Sequence, residues 1–329
     1  MFNEVTGQRP PLDWLTLFGV EKSLAAAQAT GLLLALKGRL ETPEQYAREL
    51  QLDERMTVNV LDVLAAAGLL VKRDGRYGIP DDAPSEMRTA DAKLKNVQAQ
   101  FDETTRVLRT GEPIPFMDTA TGQREASYRS IVGDLGKLHG ALAKTLAAKI
   151  DLHPSKILDV GCGSGVWSLA FAEIHPQAHV TGLDFPGVLD EFEARSRSLG
   201  LADRIGRLPG DVFELDLPLE SFDLVVIANV LRLEPPARAQ QIVTRIASAL
   251  AKGGRMLIID ALAGGSATKE LIRSTYALYL ALRTKDGRVY SPSIISDWMH
   301  QAGLTKLREI DCGTQPMAIG ALLGDKPVG

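Results

Sequence analysis

The chain has 329 residues, 45% of them hydrophobic and 24% charged, with a formal net charge of −4. That composition suits a globular protein with a sizeable core, and the length suits two domains. The acidic balance offers no general attraction for nucleic acid or an anionic membrane, and the longest apolar stretch, Gly31 to Leu36, is far too short to span a bilayer.

The two cysteines, Cys162 and Cys312, cannot cage a metal alone, and no histidine pair has metal-ligand spacing, so no metal is expected. Reduced cysteines and a start, MFNEVTGQRPP, without the basic-then-apolar pattern of a signal peptide give a cytoplasmic expectation.

Residues 1–85 read as one helical unit. A first helix runs near Asp13 to Thr30. Thr42-Pro43-Glu44 opens a second, because Thr caps and Pro is tolerated in the first turn. Asp53-Glu54-Arg55 opens a third, with Met56, Val60, Leu61 and Leu64 on one face. Asp74-Gly75 then makes a hairpin turn. This order resembles a winged helix. A DNA-reading role is disfavoured, because Met56 to Val63 holds no Lys or Arg and phosphate contacts need them.

Residues 86–150 read as connecting helices, broken at Gly111-Glu112-Pro113-Ile114-Pro115. Residues 151–329 alternate strand and helix, with strands expected at Ile157–Val160, His179–Leu183, Arg204–Leu208, Asp223–Ala228, Met256–Asp260, Leu304–Asp311 and Met317–Leu323. The pattern gives an α/β fold: a Rossmann-like, mostly parallel seven-stranded sheet with helices on both faces and an antiparallel pair at its edge.

The most informative stretch runs from Lys156 to Val188. An apolar strand breaks at Gly161-Cys162-Gly163-Ser164-Gly165, and a helix follows. Glycines let a ligand approach the backbone, and the new helix points free N–H groups at the turn. Asp184 ends the next strand at the spacing where a carboxylate grips two ribose hydroxyls. Asp159, before the turn, suits a cationic ligand, and no Gly-Lys-Ser/Thr follows to make a P-loop.

The segment resembles class I S-adenosylmethionine methyltransferases. More closely, DVGCGSG…HP…GLDFPGV is similar to the small-molecule O-methyltransferase family of plants and bacteria, whose second strand ends in Asp-Leu-Pro where this chain has Asp184-Phe185-Pro186. The resemblance implies S-adenosylmethionine as cofactor and S-adenosylhomocysteine as product. It also implies a small-molecule substrate and a homodimer built through the N-terminal domain. The cofactor residues are then Asp159, Gly161, Gly163, Gly165, Asp184 and Phe185, with Asp211, Val212 and Phe213 at the adenine and Asn229 at the fourth strand's end. Asn229 read alone serves equally as a helix cap.

The chain departs from that family at the reactive position. Where the family has Asn-x-Leu-His, with His as general base, this chain has Asn229-Val230-Leu231-Arg232. An arginine does not give up its proton in a protein. Of the two acids that flank the family's His, Asp260 is present and Val289 takes the place of the other. Three options follow. Arg232 holds an acidic enol, phenol or carbon nucleophile as its anion; Arg232 binds a substrate carboxylate; or the chain is a non-methylating member that does other chemistry. A bland alternative is that Arg232 pairs with Asp260 and plugs the site.

The expected substrate wall is Phe116, Met117, Tyr128, Ile131, Tyr276 and Tyr279, with Arg283 as a second anion contact. Aromatic residues at helical spacing are more often core. Of the histidines, only His139 stands as an outside candidate base.

Overall fold

A computed structural model describes residues 14–80, 92–114, 121–262, 267–312 and 319–328. The chain divides into two compact units, 1–102 and 103–329.

In the first unit, helices Trp14–Ala29, Leu32–Ala35, Pro43–Leu50 and Glu54–Ala66 precede a hairpin of β1 (Val71–Arg73) and β2 (Arg76–Gly78). Local chemistry sets each boundary. The Thr42 and Gln45 side chains form a reciprocal capping box, and Asp53 Oδ1 accepts the Met56 N–H at 2.8 Å. Asp74 and Gly75 both take positive φ, which the tight hairpin turn requires. The core is Leu33, Leu36, Tyr46, Leu61, Leu64 and Tyr77.

The second unit holds one seven-stranded sheet of β3 (Lys156–Val160), β4 (His179–Asp184), β5 (Ile205–Pro209), β6 (Phe222–Ala228), β7 (Leu250–Ala261), β8 (Thr305–Asp311) and β9 (Ile319–Asp325). The spatial order is β5-β4-β3-β6-β7-β9-β8. The first five strands in that order run parallel; β9 pairs antiparallel with both β7 and β8. The order reverses at β3, so a crevice opens between the carboxyl ends of β3 and β6.

Alternate residues of each central strand feed opposite faces. Ile157, Val180, Leu224 and Val226 pack with the helices Thr121–Lys149, Val166–Ile174 and Pro186–Ser198. Leu158, Val160, Val225 and Ile227 pack with Pro236–Ala247 and Pro292–Gln301. Burial on both faces explains the continuous apolar runs in β3, β6 and β7. β7 begins six residues before the expected Met256, at Leu250, because a register shift opposite Phe222 and Leu224 absorbs the glycines at 253 and 254.

Candidate active site

The Gly-rich turn is held by backbone bonds to the neighbouring strand. The N–H groups of Gly161 and Cys162 donate to the Leu183 carbonyl at 2.8 and 3.2 Å. Gly161 has φ +65°, and a Cβ there would lie 2.5 Å from Val230 Cγ2, so the loop after β6 closes against the turn. Gly165 has φ +69°, and a Cβ there would strike the Phe192 ring. These close approaches explain why the turn is glycine-rich.

Asp184 ends β4. Its Oδ2 accepts the Gly163 N–H at 2.8 Å and its Oδ1 accepts the Phe185 N–H at 2.8 Å. Both carboxylate oxygens are thus fixed by backbone. Asp159 lies 1% exposed, with Oδ2 accepting the Ser168 hydroxyl at 2.5 Å. Burial, with the nearby Asp184 charge, pushes its carboxyl up to about 7. After β5, Asp211 Oδ1 accepts the Phe213 N–H at 2.8 Å and forms a local turn. Val212 and Phe213 pack on the core beneath, and the Arg238 guanidinium carbon sits 4.1 Å from the Phe213 ring centroid.

The loop after β6 carries the second half of the site. Asn229 takes φ +62°, which Asn tolerates better than most residues, and its N–H donates to the Ile259 carbonyl at 2.8 Å. Arg232 is 5% exposed. Its Nη1 donates to Asn229 Oδ1 at 2.6 Å and to Asp260 Oδ1 at 3.1 Å, and its backbone N–H reaches Asp260 Oδ2 at 3.3 Å. Its guanidinium carbon lies 5.0 Å from the Tyr276 ring centroid. Burial works against the Arg232 charge, but Tyr276, Asp260 and Tyr128 more than offset it, so the guanidinium is held above its ordinary value. Burial pushes the Asp260 carboxyl upward, opposed by Arg232 and the Ala261 and Arg232 N–H groups.

Val289 packs in a small apolar cluster with Ala261, Tyr276 and Leu280. The position therefore supplies apolar wall and no charge. Tyr279 is half-buried under Arg283, whose guanidinium carbon is 3.8 Å from the ring centroid; Arg283 is thus placed against Tyr279. Phe116 and Met117 lie outside the described residues, as does the Ile131 side chain.

The structure brings together Asn229, Arg232, Asp260 and Tyr276, and separately Gly163, Asp184 and Phe185. Sequence reasoning missed two residues. Ser168 caps Asp159, and Trp167 packs its ring 5.5 Å from that of His139. Ser168 and Trp167 sit in the first turn of an apolar helix, where nothing in the pattern marks them as polar contacts.

The glycine turn, a backbone-held carboxylate at the next strand end and two acids with no lysine at the turn fit a cationic nucleoside such as S-adenosylmethionine. Among the described residues no cluster of His, Cys, Asp and Glu is arranged to hold a metal. Fold and site together define a Rossmann-like α/β protein with a glycine turn and a backbone-held carboxylate at adjacent strand ends.

Comparison with known proteins agrees. Residues 117–305 match the O-methyltransferase domain family model. A 3-hydroxy-5-methyl-1-naphthoate 3-O-methyltransferase of Streptomyces sahachiroi is 27% identical over 319 residues, covering 93% of this chain and 91% of the relative. An L-tyrosine C(3)-methyltransferase of Streptomyces lavendulae is 26% identical, covering 92% of each. The structure of human N-acetylserotonin methyltransferase with S-adenosylmethionine superposes with a TM-score of 0.67 at 20% identity, covering 96% of each chain. The chain belongs to the O-methyltransferase domain family and is an enzyme of the methyltransferase class.

Proposed function

We propose that this chain transfers a methyl group from S-adenosylmethionine to an acidic, hydroxylated small organic molecule, with Arg232 standing where the family has its histidine base. The observation that carries the reading is the buried Arg232–Asp260 pair at the ends of β6 and β7, in the same crevice as the Gly161–Gly165 turn. A relative named for a hydroxylated naphthoate supports an acidic aromatic substrate.

Bound cofactor supplies an activated methyl group. Asp184 would hold the ribose hydroxyls, the Gly161–Gly165 turn would receive the amino-acid end, and Asp211, Val212 and Phe213 would flank the adenine. Arg232 does not accept a proton. It acts on the substrate instead: a fixed cation beside a hydroxyl lowers that hydroxyl's pKa. The nucleophile then enters as its anion, and its proton has already gone to solvent. A general base is typically worth about 10²–10⁴-fold, and an anionic nucleophile does not need one. Alignment of nucleophile and methyl carries much of the remaining acceleration. Asp260 keeps Arg232 from presenting a bare positive charge to a cationic cofactor.

The N-terminal unit is read as a winged-helix module that pairs two copies of the chain. Leu17, Phe18, Leu34 and Met56, all exposed in the single chain, support that role. The enzyme is read as cytoplasmic, and the free cysteines Cys162 and Cys312 support that reading.

The test is a chromatographic assay with labelled S-adenosylmethionine and a set of phenols and hydroxylated aromatic acids. S-adenosylhomocysteine and a methylated product in equal amounts are expected. S-adenosylhomocysteine without methylated product, or no turnover across the set, contradicts the proposal.

A further inference from the structure

Six buried side-chain nitrogens in the second unit lack a hydrogen-bond partner among the described residues: His175 Nε2, Arg195 Nε, both ring nitrogens of His139, Nε1 of Trp167 and Nε of Arg232; the last four belong to three side chains that bear on one another. An orphaned buried polar group is costly, and folded proteins pair the great majority. Such a concentration calls for a ligand.

His139 stands beside Trp167 and feels the charge of Arg232. The His139 and Trp167 rings lie 5.5 Å apart, tilted by 31°. The helix Thr121–Lys149 that carries His139 crosses the Gly-rich turn: a Cβ at Gly163 would touch Val132 at 3.6 Å, and one at Gly136 would meet Ser164 Oγ at 2.7 Å. Trp167 belongs to the same apolar cluster as Ala228 and Ile259, which end β6 and precede Asp260 on β7. His139 is 1% exposed; burial, then the Arg232 charge, pushes its imidazole down to about 4, so the ring is neutral at pH 7.

A neutral imidazole has one N–H donor and one acceptor nitrogen; the Trp167 and Arg232 atoms are donors only. The unpaired set is therefore three donors and one acceptor in an apolar wall. A carboxylate accepts all three donors.

We propose that His139, Trp167 and Arg232 Nε form a subsite for the carboxylate of an aromatic hydroxy acid. This inference rests on the proposed methyltransferase reading and narrows its substrate class. His139 serves as a neutral hydrogen-bonding partner and not as a base. The amino-acid end of the cofactor also carries a carboxylate, so the experiment separates the two sources.

The full chain, saturated with S-adenosylhomocysteine, is titrated calorimetrically with 3-hydroxy-1-naphthoate and with 2-naphthol, the same ring without the carboxylate. The acid is expected to bind about tenfold tighter or more, the worth of one charge-assisted bond. Trp167→Phe keeps the ring and removes only the N–H; it and His139→Leu are each expected to weaken the acid about tenfold on the same scale. Neither should change binding of 2-naphthol or S-adenosylhomocysteine, and His139→Gln should retain most of the affinity for the acid. Equal binding of acid and naphthol, or variants that leave the acid untouched, overturns the subsite. Variants that weaken S-adenosylhomocysteine in place of the acid also overturn it, because the donors then belong to the cofactor. A chain that methylates 2-naphthol with no preference for the acid keeps its proposed function and loses only this subsite.

Discussion

Arg232 and Asp260 join the ends of two adjacent parallel strands through a guanidinium–carboxylate contact of 3.1 Å and a backbone contact of 3.3 Å to the other carboxylate oxygen. Both residues are almost wholly buried. The backbone bond fixes where the loop after β6 turns, and the side-chain bond fixes where the guanidinium points. Asn229, three residues earlier and at positive φ, accepts from the same Arg232 Nη1 that donates to Asp260.

Removing one partner leaves a buried charge uncompensated. Asp260→Ala is expected to lower unfolding free energy by about 3–5 kcal/mol. Replacing both, Arg232→Met with Asp260→Leu, recovers most of that loss because the desolvation penalty goes with the charges. Urea unfolding of the two variants checks this; equal stability of wild type and Asp260→Ala would remove the pair from the account.

Arg232→Gln keeps polarity and removes the cation. A preorganised donor to a developing or bound oxyanion is worth about 10²–10³-fold. The expected loss in kcat/KM on an acidic phenol is of that order, with S-adenosylhomocysteine affinity unchanged. Steady-state kinetics beside calorimetry read both, and unaltered turnover would retire Arg232 as the anion-holding residue.

Two buried groups impose opposite pH dependences on stability. Asp159 has its folded pKa raised to about 7 from an unfolded value near 4, so its contribution is full at low pH and is lost as pH rises through that window. His139 has its folded pKa lowered to about 4 from about 6.5, so its contribution is present above 6.5 and is lost as pH falls toward 4. Asp159→Asn should therefore flatten the decline on the way to neutral pH, and His139→Leu should flatten the loss on acidification. Thermal unfolding between pH 4 and 8 measures each slope; unchanged profiles would contradict the burial argument.

At Gly161 the predicted effect is steric. A Cβ at φ +65° would lie 2.5 Å from the Val230 side chain. Backbone strain of this kind costs on the order of 1–3 kcal/mol. Gly161→Ala is expected to lower the melting temperature and weaken S-adenosylhomocysteine binding together, measured by scanning calorimetry and titration. Wild-type values for both would mean that the turn tolerates a side chain.

Much of this molecule was legible in its sequence. Asp159, the glycines and Asp184 mark the turn and the two strands around it, because close backbone approach at Gly161 and Gly165 and the backbone bonds to Asp184 restrict those positions chemically. β3 and β6 read clearly because two-sided burial demands unbroken apolar residues. The early start of β7 at Leu250 did not, since Lys252, Gly253 and Gly254 look like a turn until a register shift lets the strand run through them. The donor cluster of His139, Trp167 and Arg232 was equally hidden. Its members are 28 and 65 residues apart along the chain, and only tertiary packing reveals that their nitrogens lack partners.

The account stands most directly on whether the strand-end crevice takes the nucleoside. Calorimetric titration of the full chain with S-adenosylhomocysteine should give saturable binding at one site per chain. Asp184→Ala removes the carboxylate assigned to the ribose and should weaken that binding about tenfold to a hundredfold. Absence of binding to the wild-type chain, or equal affinity in the Asp184→Ala variant, would contradict it.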